Sequence, residues 1–126
     1  MKKKEITTSN TILGKDSDFE GNIKFFGTLL IQGAFKGKIY GEGTVTIDKD
    51  ATIRSDIHAL EVNVHGTIFG KMSAENKIHV YKSAKIYGDI EAPDIQIEKG
   101  ALIKGKCHTH KIDLPNEEEL AIINTD

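Results

Sequence analysis

Cys107-His108-Thr109-His110 brings a thiol and two imidazoles within four residues, the donor types that hold a zinc ion. Spacing argues against that use. On an extended strand alternate side chains face opposite ways, so His108 and His110 point away from Cys107. The run reads as a packed thiol followed by solvated imidazoles. His58, His65 and His79 lack zinc-ligand spacing and read as outer-face or corner residues. Gly41-Glu42-Gly43 and the other glycines match neither the phosphate-loop pattern nor the dinucleotide fingerprint. No Ser/His/Asp set or carboxylate pair stands out. The residue types therefore predict no catalytic group, no metal, no nucleotide and no other cofactor.

The elements that carry these residues form a repeat. A large apolar residue, a small residue and a second apolar residue alternate with free positions in six copies. They begin at Phe19, Phe35, Ile53, Ile68, Ile86 and Ile103. Their small positions, Gly21, Gly37, Ser55, Gly70, Gly88 and Gly105, advance by 16, 18, 15, 18 and 17 residues. A near-constant period of this size marks a solenoid. A second apolar column, Leu13, Ile31, Ile47, Val64, Val80 and Ile97, precedes each copy. Most of its members have an apolar partner two residues earlier, which is strand periodicity. A third column is small: Ser17, Gly33, Ala51, Gly66, Ala84 and Ala101. Several short strands per repeat, joined by tight corners, are expected.

Length varies at one corner only. Two or four residues separate the second and third columns, and each longer version centres on a lysine: Lys15, Lys49, Lys82 and Lys99. Insertions that leave the apolar columns in register loop outward from a stacked core. The residues after the glycine column, Asn22, Lys38, Asp56, Lys71, Asp89 and Lys106, alternate in sign and favour the in-register stack. Phe25-Phe26 fall at a corner where one ring covers the core. Phe69 and Tyr87 fall outward on adjacent turns, either as a cross-strand pair or as a lateral or partner contact.

Totals agree with a thin, repeated core. Charged residues are 29% of the chain, the net charge is −2 and there is no Trp. Nothing here attracts nucleic acid globally. No apolar run approaches the roughly 18 residues of a spanning helix. Neither an apolar leader nor a second cysteine is present, which predicts a reducing, cytoplasmic setting.

The expected organisation is all-β: a parallel β-helix over 11–110, a flexible basic tail over 1–10 and a flexible acidic tail over 111–126. Neither end of the array looks capped. Leu13, Phe19 and Ile23 are expected to lie bare at the N-terminal end. Ile95, Ile97, Ile103 and Cys107 are expected to do so at the C-terminal end. Exposed edge strands with apolar neighbours are templates for another copy of the chain.

Phe19–Ile23 (FEGNI), Gly43–Ile47 (GTVTI) and Ile86–Cys107 (IYGDIEAPDIQIEKGALIKGKC) resemble the bactofilins, bacterial polymer-forming cytoskeletal proteins. The resemblance covers roughly residues 11–108. It implies a right-handed parallel β-helix of about six windings and nucleotide-free assembly into non-polar filaments. It also implies a scaffold for cell shape, working with peptidoglycan-modifying enzymes on the inner face of the cytoplasmic membrane. Lys2, Lys3, Lys4 and Ile6 are then the candidate membrane contact. The rival reading is a left-handed, hexapeptide-repeat acyltransferase type of enzyme. That fold needs apolar residues every six positions, whereas Ile31 and Phe35, or Val64 and Ile68, are four apart. A carbohydrate-binding or lyase β-helix would need larger loops and an acidic cleft.

Overall fold

Each apolar column of the repeat becomes a row of directly paired residues. Phe19, Phe35, Ile53, Ile68, Ile86 and Ile103 sit side by side on successive turns. Ile23, Ile39, Ile57, Met72, Ile90 and Cys107 form a second row. Every pairing is parallel, so the chain climbs one strand spacing per turn, about 4.8 Å. The result is a parallel β-solenoid of about six turns with no helix among the described residues. A computed structural model describes the backbone of residues 4–109, 111–113 and 124–125 and the side chains of 6–109.

The early turns are β1 (Lys4–Leu13), β2 (Asp18–Ile31), β3 (Ala34–Ile47) and β4 (Thr52–Val64). Later turns break into β5 (Thr67–Phe69), β6 (Met72–Val80), β7 (Lys85–Tyr87), β8 (Ile90–Glu91), β9 (Asp94–Ile97), β10 (Leu102–Lys104) and β11 (Lys106–His108). Two further strands follow, β12 (Lys111–Asp113) and β13 (Asn124–Thr125). Several short strands per turn is thus correct only for the later half. In β2 and β3 the backbone bends at the glycine column without losing its ladder.

Burial follows the columns. Leu29, Val45, Val62, Ile78 and Ile95 are buried, as are Ile31, Ile47, Val64 and Val80. A fully buried aliphatic side chain contributes about 1.5–3 kcal/mol. One turn holds too few to offset its chain entropy, so stability comes from stacking. Phe25 is fully buried and Phe26 is exposed, so one ring of the pair does fill the core. Gly41, its partner on the next turn, leaves the space: a Cβ there would lie 2.3 Å from the Phe25 ring.

The variable corner shows why small residues recur. In each four-residue version a β-turn closes it: the N–H of Ser17, Ala51, Ala84 or Ala101 donates to the carbonyl of Gly14, Asp48, Tyr81 or Glu98, at 2.9–3.3 Å. Ala and Ser suffice there. In the two-residue versions the chain cuts closer to the turn before. A Cβ on Gly33 would lie 2.4 Å from the Ser17 carbonyl oxygen, and one on Gly66 2.3 Å from that of Asp48. The main glycine column is stricter still. Gly37 has φ of 139°, and its Cβ would lie 1.7 Å from the Gly21 oxygen. The same approach recurs at Gly70, Gly88 and Gly105. Ser55 alone departs; it is buried and its hydroxyl donates to the Asp56 carbonyl at 2.9 Å.

The solenoid is longer than the sequence suggests. Residues 4–10, assigned to a tail, form most of β1, and 4–9 pair with Gly21–Phe26. Ile6 lies beside Ile23, one full turn before it. Apolarity misses this turn because Lys4 and Thr8 occupy column positions. A bulge between Ser9 and Thr11 accommodates Asn10, whose Oδ1 accepts from the Thr28 N–H at 3.1 Å. At the other end, Lys111–Asp113 pair with Asp94–Gln96, and Asn124–Thr125 with Lys106–Cys107. Residues 1–3, 110, 114–123 and 126 lie outside the described residues, so Lys2, Lys3 and most of the acidic stretch do too.

Candidate functional site

The two ends of the solenoid are the candidate site, and they differ from the bare faces the sequence suggests. At the N-terminal end Ile23 is buried, because β1 lies over it. Leu13 and Phe19 are half-buried and pack against the core. The Phe19 and Phe35 rings stack at 5.3 Å. Among the described residues β1 pairs only with β2, so its other backbone edge is open. That edge strand carries Ile12 at 65% exposure and Ile6 at 39%. Neither was offered from the sequence as an assembly residue. The signal was available, since Ile6 precedes Ile23 by one repeat length.

At the C-terminal end the correction is larger. Ile95, Ile103 and Cys107 are fully buried and Ile97 nearly so. β12 lies alongside Ile95 and β13 alongside Cys107. The rows continue past residue 110, which supplies neighbours the repeat count omitted. β10, β12 and β13 then present short outer edges of two or three residues each.

Cys107 is a packed thiol. Burial pushes its pKa up to about 11, and the nearby Asp89 carboxylate adds to the shift. A neutral thiol is a poor nucleophile and a poor metal ligand. Among the described residues no three His, Cys, Asp or Glu side chains converge to hold a metal. His58 instead lies 3.7 Å from Glu75, and His79 3.4 Å from Glu98.

The outer faces carry ladders. Phe69 and Tyr87 stack at 4.9 Å, as a cross-strand pair does. Arg54 lies over Phe69 at 4.5 Å and Lys104 over Tyr87 at 6.0 Å, each on the next turn out. Each ring thus has an aromatic neighbour and a cation beside it. In the alternating-sign row, Asp56 and Asp89 accept from the backbone N–H of Lys71 and Lys106 at 3.3 and 3.0 Å. Lys38 pairs with Asp56 in register, and Asp56 does the work of a strand clamp.

A parallel β-solenoid with an open edge strand is an architecture whose sheet a further strand can extend. Residues 11–108 match the family model described as bactofilin, polymer-forming cytoskeletal. No curated protein and no solved structure matches the chain. The match spans well over half the sequence, and the chain belongs to the bactofilin family of polymer-forming cytoskeletal proteins.

Proposed function

We propose that copies of this chain join through the strand edges of their end turns, without nucleotide, into filaments in which like ends meet. The open edge of β1 carries the reading. A strand with unpaired N–H and C=O groups and apolar side chains recruits a further strand. Edge lengths favour like ends. β1 offers ten residues, whereas β10, β12 and β13 offer two or three each. A β1–β1 contact matches two unbroken edges, and a mixed contact sets an unbroken edge against a divided one. Leu13 and Phe19, with Ile6 and Ile12, would line the N-terminal contact. Ile95, Ile97, Ile103 and Cys107 would support the C-terminal one from inside, beneath β12 and β13.

Negative-stain microscopy of purified protein without nucleotide tests this. The wild type is expected to form filaments. Ile12→Asp with Leu13→Asp places like charges across the β1 contact and is expected to leave short species with an unchanged circular dichroism spectrum. Filaments that persist in this variant, or wild-type protein that stays monomeric at micromolar concentration, would end the proposal.

The same reading places the filament peripherally on the inner face of the cytoplasmic membrane, organising peptidoglycan-modifying enzymes. No described helix is long and apolar enough to cross a membrane. Lys2, Lys3 and Lys4 each add about 1 kcal/mol beside anionic lipid. Deleting residues 1–10 is a poor test, because it removes most of β1. Lys2→Glu with Lys3→Glu leaves that strand intact and is expected to reduce co-sedimentation with anionic liposomes. Equal pelleting would remove lysines 2 and 3 from any membrane role.

A further inference from the structure

Hollows line one side of the solenoid. Three adjoining hollows, of about 360, 340 and 560 Å³, follow one another from turn to turn. The first two share Lys38 and Tyr40, and the second and third share His58 and Ser73. They form one groove parallel to the solenoid axis. Its floor is a single register row: Thr7, Lys24, Tyr40, His58, Ser73, Glu91 and His108. Six strand spacings make it about 29 Å long, the span of about nine residues of extended peptide at roughly 3.3 Å each.

The groove has a ring platform and a charge gradient. Tyr40 is 54% exposed and stacks on His58 at 5.2 Å. Lys24, Lys38 and Lys71 line the first two hollows. Glu75 and Glu91 line the third. Asp56, the acid of the basic half, already accepts a backbone N–H from Lys71. A nucleic acid or another uniform polyanion would meet Glu75 and Glu91 as like charges. An uncharged glycan would leave both charged ends unanswered. A segment with acidic residues at one end, an apolar or aromatic middle and a basic residue at the other satisfies all three parts.

We infer that this groove is a docking site for an extended, bipolar peptide segment of a partner protein. It lies on the flank and not at an end, so a filament leaves it open. Failure of end-to-end assembly would leave this inference standing, and the reverse also holds.

A random nonapeptide library, selected against the full-length protein in low-salt buffer, tests it. The selected peptides are expected to carry opposite charges at their two ends. Their affinity, by fluorescence anisotropy, should fall at least about tenfold for Lys24→Glu and for Glu91→Lys. Both positions are exposed, and circular dichroism should show the fold retained. Tyr40→Ala should weaken binding without altering the charge preference. Selected peptides of uniform charge, affinity insensitive to both reversals, or no selected peptide would each overturn the inference. So would Lys24→Glu and Glu91→Lys abolishing side-by-side pairing of the protein itself, since the groove would then serve a second copy.

Discussion

The first three turns and the last three share their columns but are held together differently. β2 and β3 run 14 residues each and β4 runs 13, whereas β7, β8, β10 and β11 run two or three. Core filling changes with them. Phe19, Phe25 and Phe35 pack the early turns. In the late turns the same rows hold Ile86, Ile103, Ala74 and Ala92. A ring needs a gap beside it, which Gly41 supplies. The ladder stays within one strand past Ala59 and Ala74, and breaks at Ala92-Pro93, between β8 and β9. The ends differ in the same sense: β1 presents one ten-residue outer edge, while β10, β12 and β13 present edges of two or three residues each. Apolar columns specify where the wall runs. Corner volume and what lies over the end decide how each part is held.

The sharpest way to break this comparison is at the early core. Phe25→Ala would open a cavity beside Gly41 and is expected to cost about 3–5 kcal/mol. Ile86→Val, in the late core, should cost only about 0.5–1.5 kcal/mol. Urea unfolding of both, in the Ile12→Asp, Leu13→Asp background that keeps the protein short, measures the ratio. Equal losses would mean that the aromatic core holds the early turns no more firmly than aliphatics hold the late ones.

The glycine column gives the next largest effect and applies to both halves. Gly37→Ala pushes a methyl group into the Gly21 carbonyl at a φ that L residues rarely adopt. Strain of this kind costs of order 1–3 kcal/mol, with the backbone shift added. Ser55→Ala, at the equivalent position, loses one hydroxyl bond to the Asp56 carbonyl, worth about 1 kcal/mol. A melting temperature that falls as far for Ser55→Ala as for Gly37→Ala would show that the column tolerates a Cβ anywhere.

Much of this was legible in the sequence. The inward rows, the lysine-centred corners and the buried ring of Phe25-Phe26 follow from apolar spacing, because strand periodicity encodes side-chain direction. Spacing carries no information about what lies above the last row. Lys4, Thr8 and Thr11 hid the first strand because polar residues stand at its column positions. Ile112 follows Ile95 by one repeat length, but Pro115 and Glu117-Glu118-Glu119 just after it read as a tail. Of the residues offered for assembly, Ile23, Ile95 and Cys107 accordingly lie one strand inside the described edges. Arg54 and Lys104, which flank the Phe69–Tyr87 pair, and the axial groove were missed for another reason. They depend on outward side chains, which the repeat leaves free to vary.

Cys107 reports on the covered end. Its thiol is held neutral up to about 11, above its ordinary 9.0, chiefly by burial. A raised pKa of this kind means the native state binds the proton more tightly than the unfolded chain does. Stability is therefore unaffected below about pH 9 and falls between about 9 and 11. Cys107→Ala should flatten the alkaline limb of a stability profile. Iodoacetamide at pH 8 should label wild-type Cys107 only as fast as the late turns open. Removing residues 111–126 should speed that labelling without changing urea unfolding of the early turns. Labelling equally slow in the truncated chain would mean that β12 and β13 do not protect this end.

The smallest effect separates the two halves at their shared corner. In the early half, Asp48 accepts from the Lys49 backbone N–H at 2.7 Å and from Gln32 Nε2 at 3.2 Å, tying neighbouring turns together. The first bond is the main cause that holds its carboxyl below the ordinary 3.8; partial burial opposes it. In the late half, Glu98 does the equivalent work, accepting from the Lys82 N–H at 3.2 Å beside His79. A lowered pKa stabilises the fold fully above the unfolded value and loses that contribution as pH falls through the folded one. Asp48→Asn should therefore lower stability by no more than about 0.5 kcal/mol at pH 7 and leave no difference from wild type near pH 2. Because Asp48 bridges Gln32 while Glu98 reaches only the backbone and a histidine, Gln32→Ala should reproduce most of that loss at pH 7. If it does not, the Gln32 contact adds nothing to the early corner beyond its β-turn and the Lys49 N–H bond.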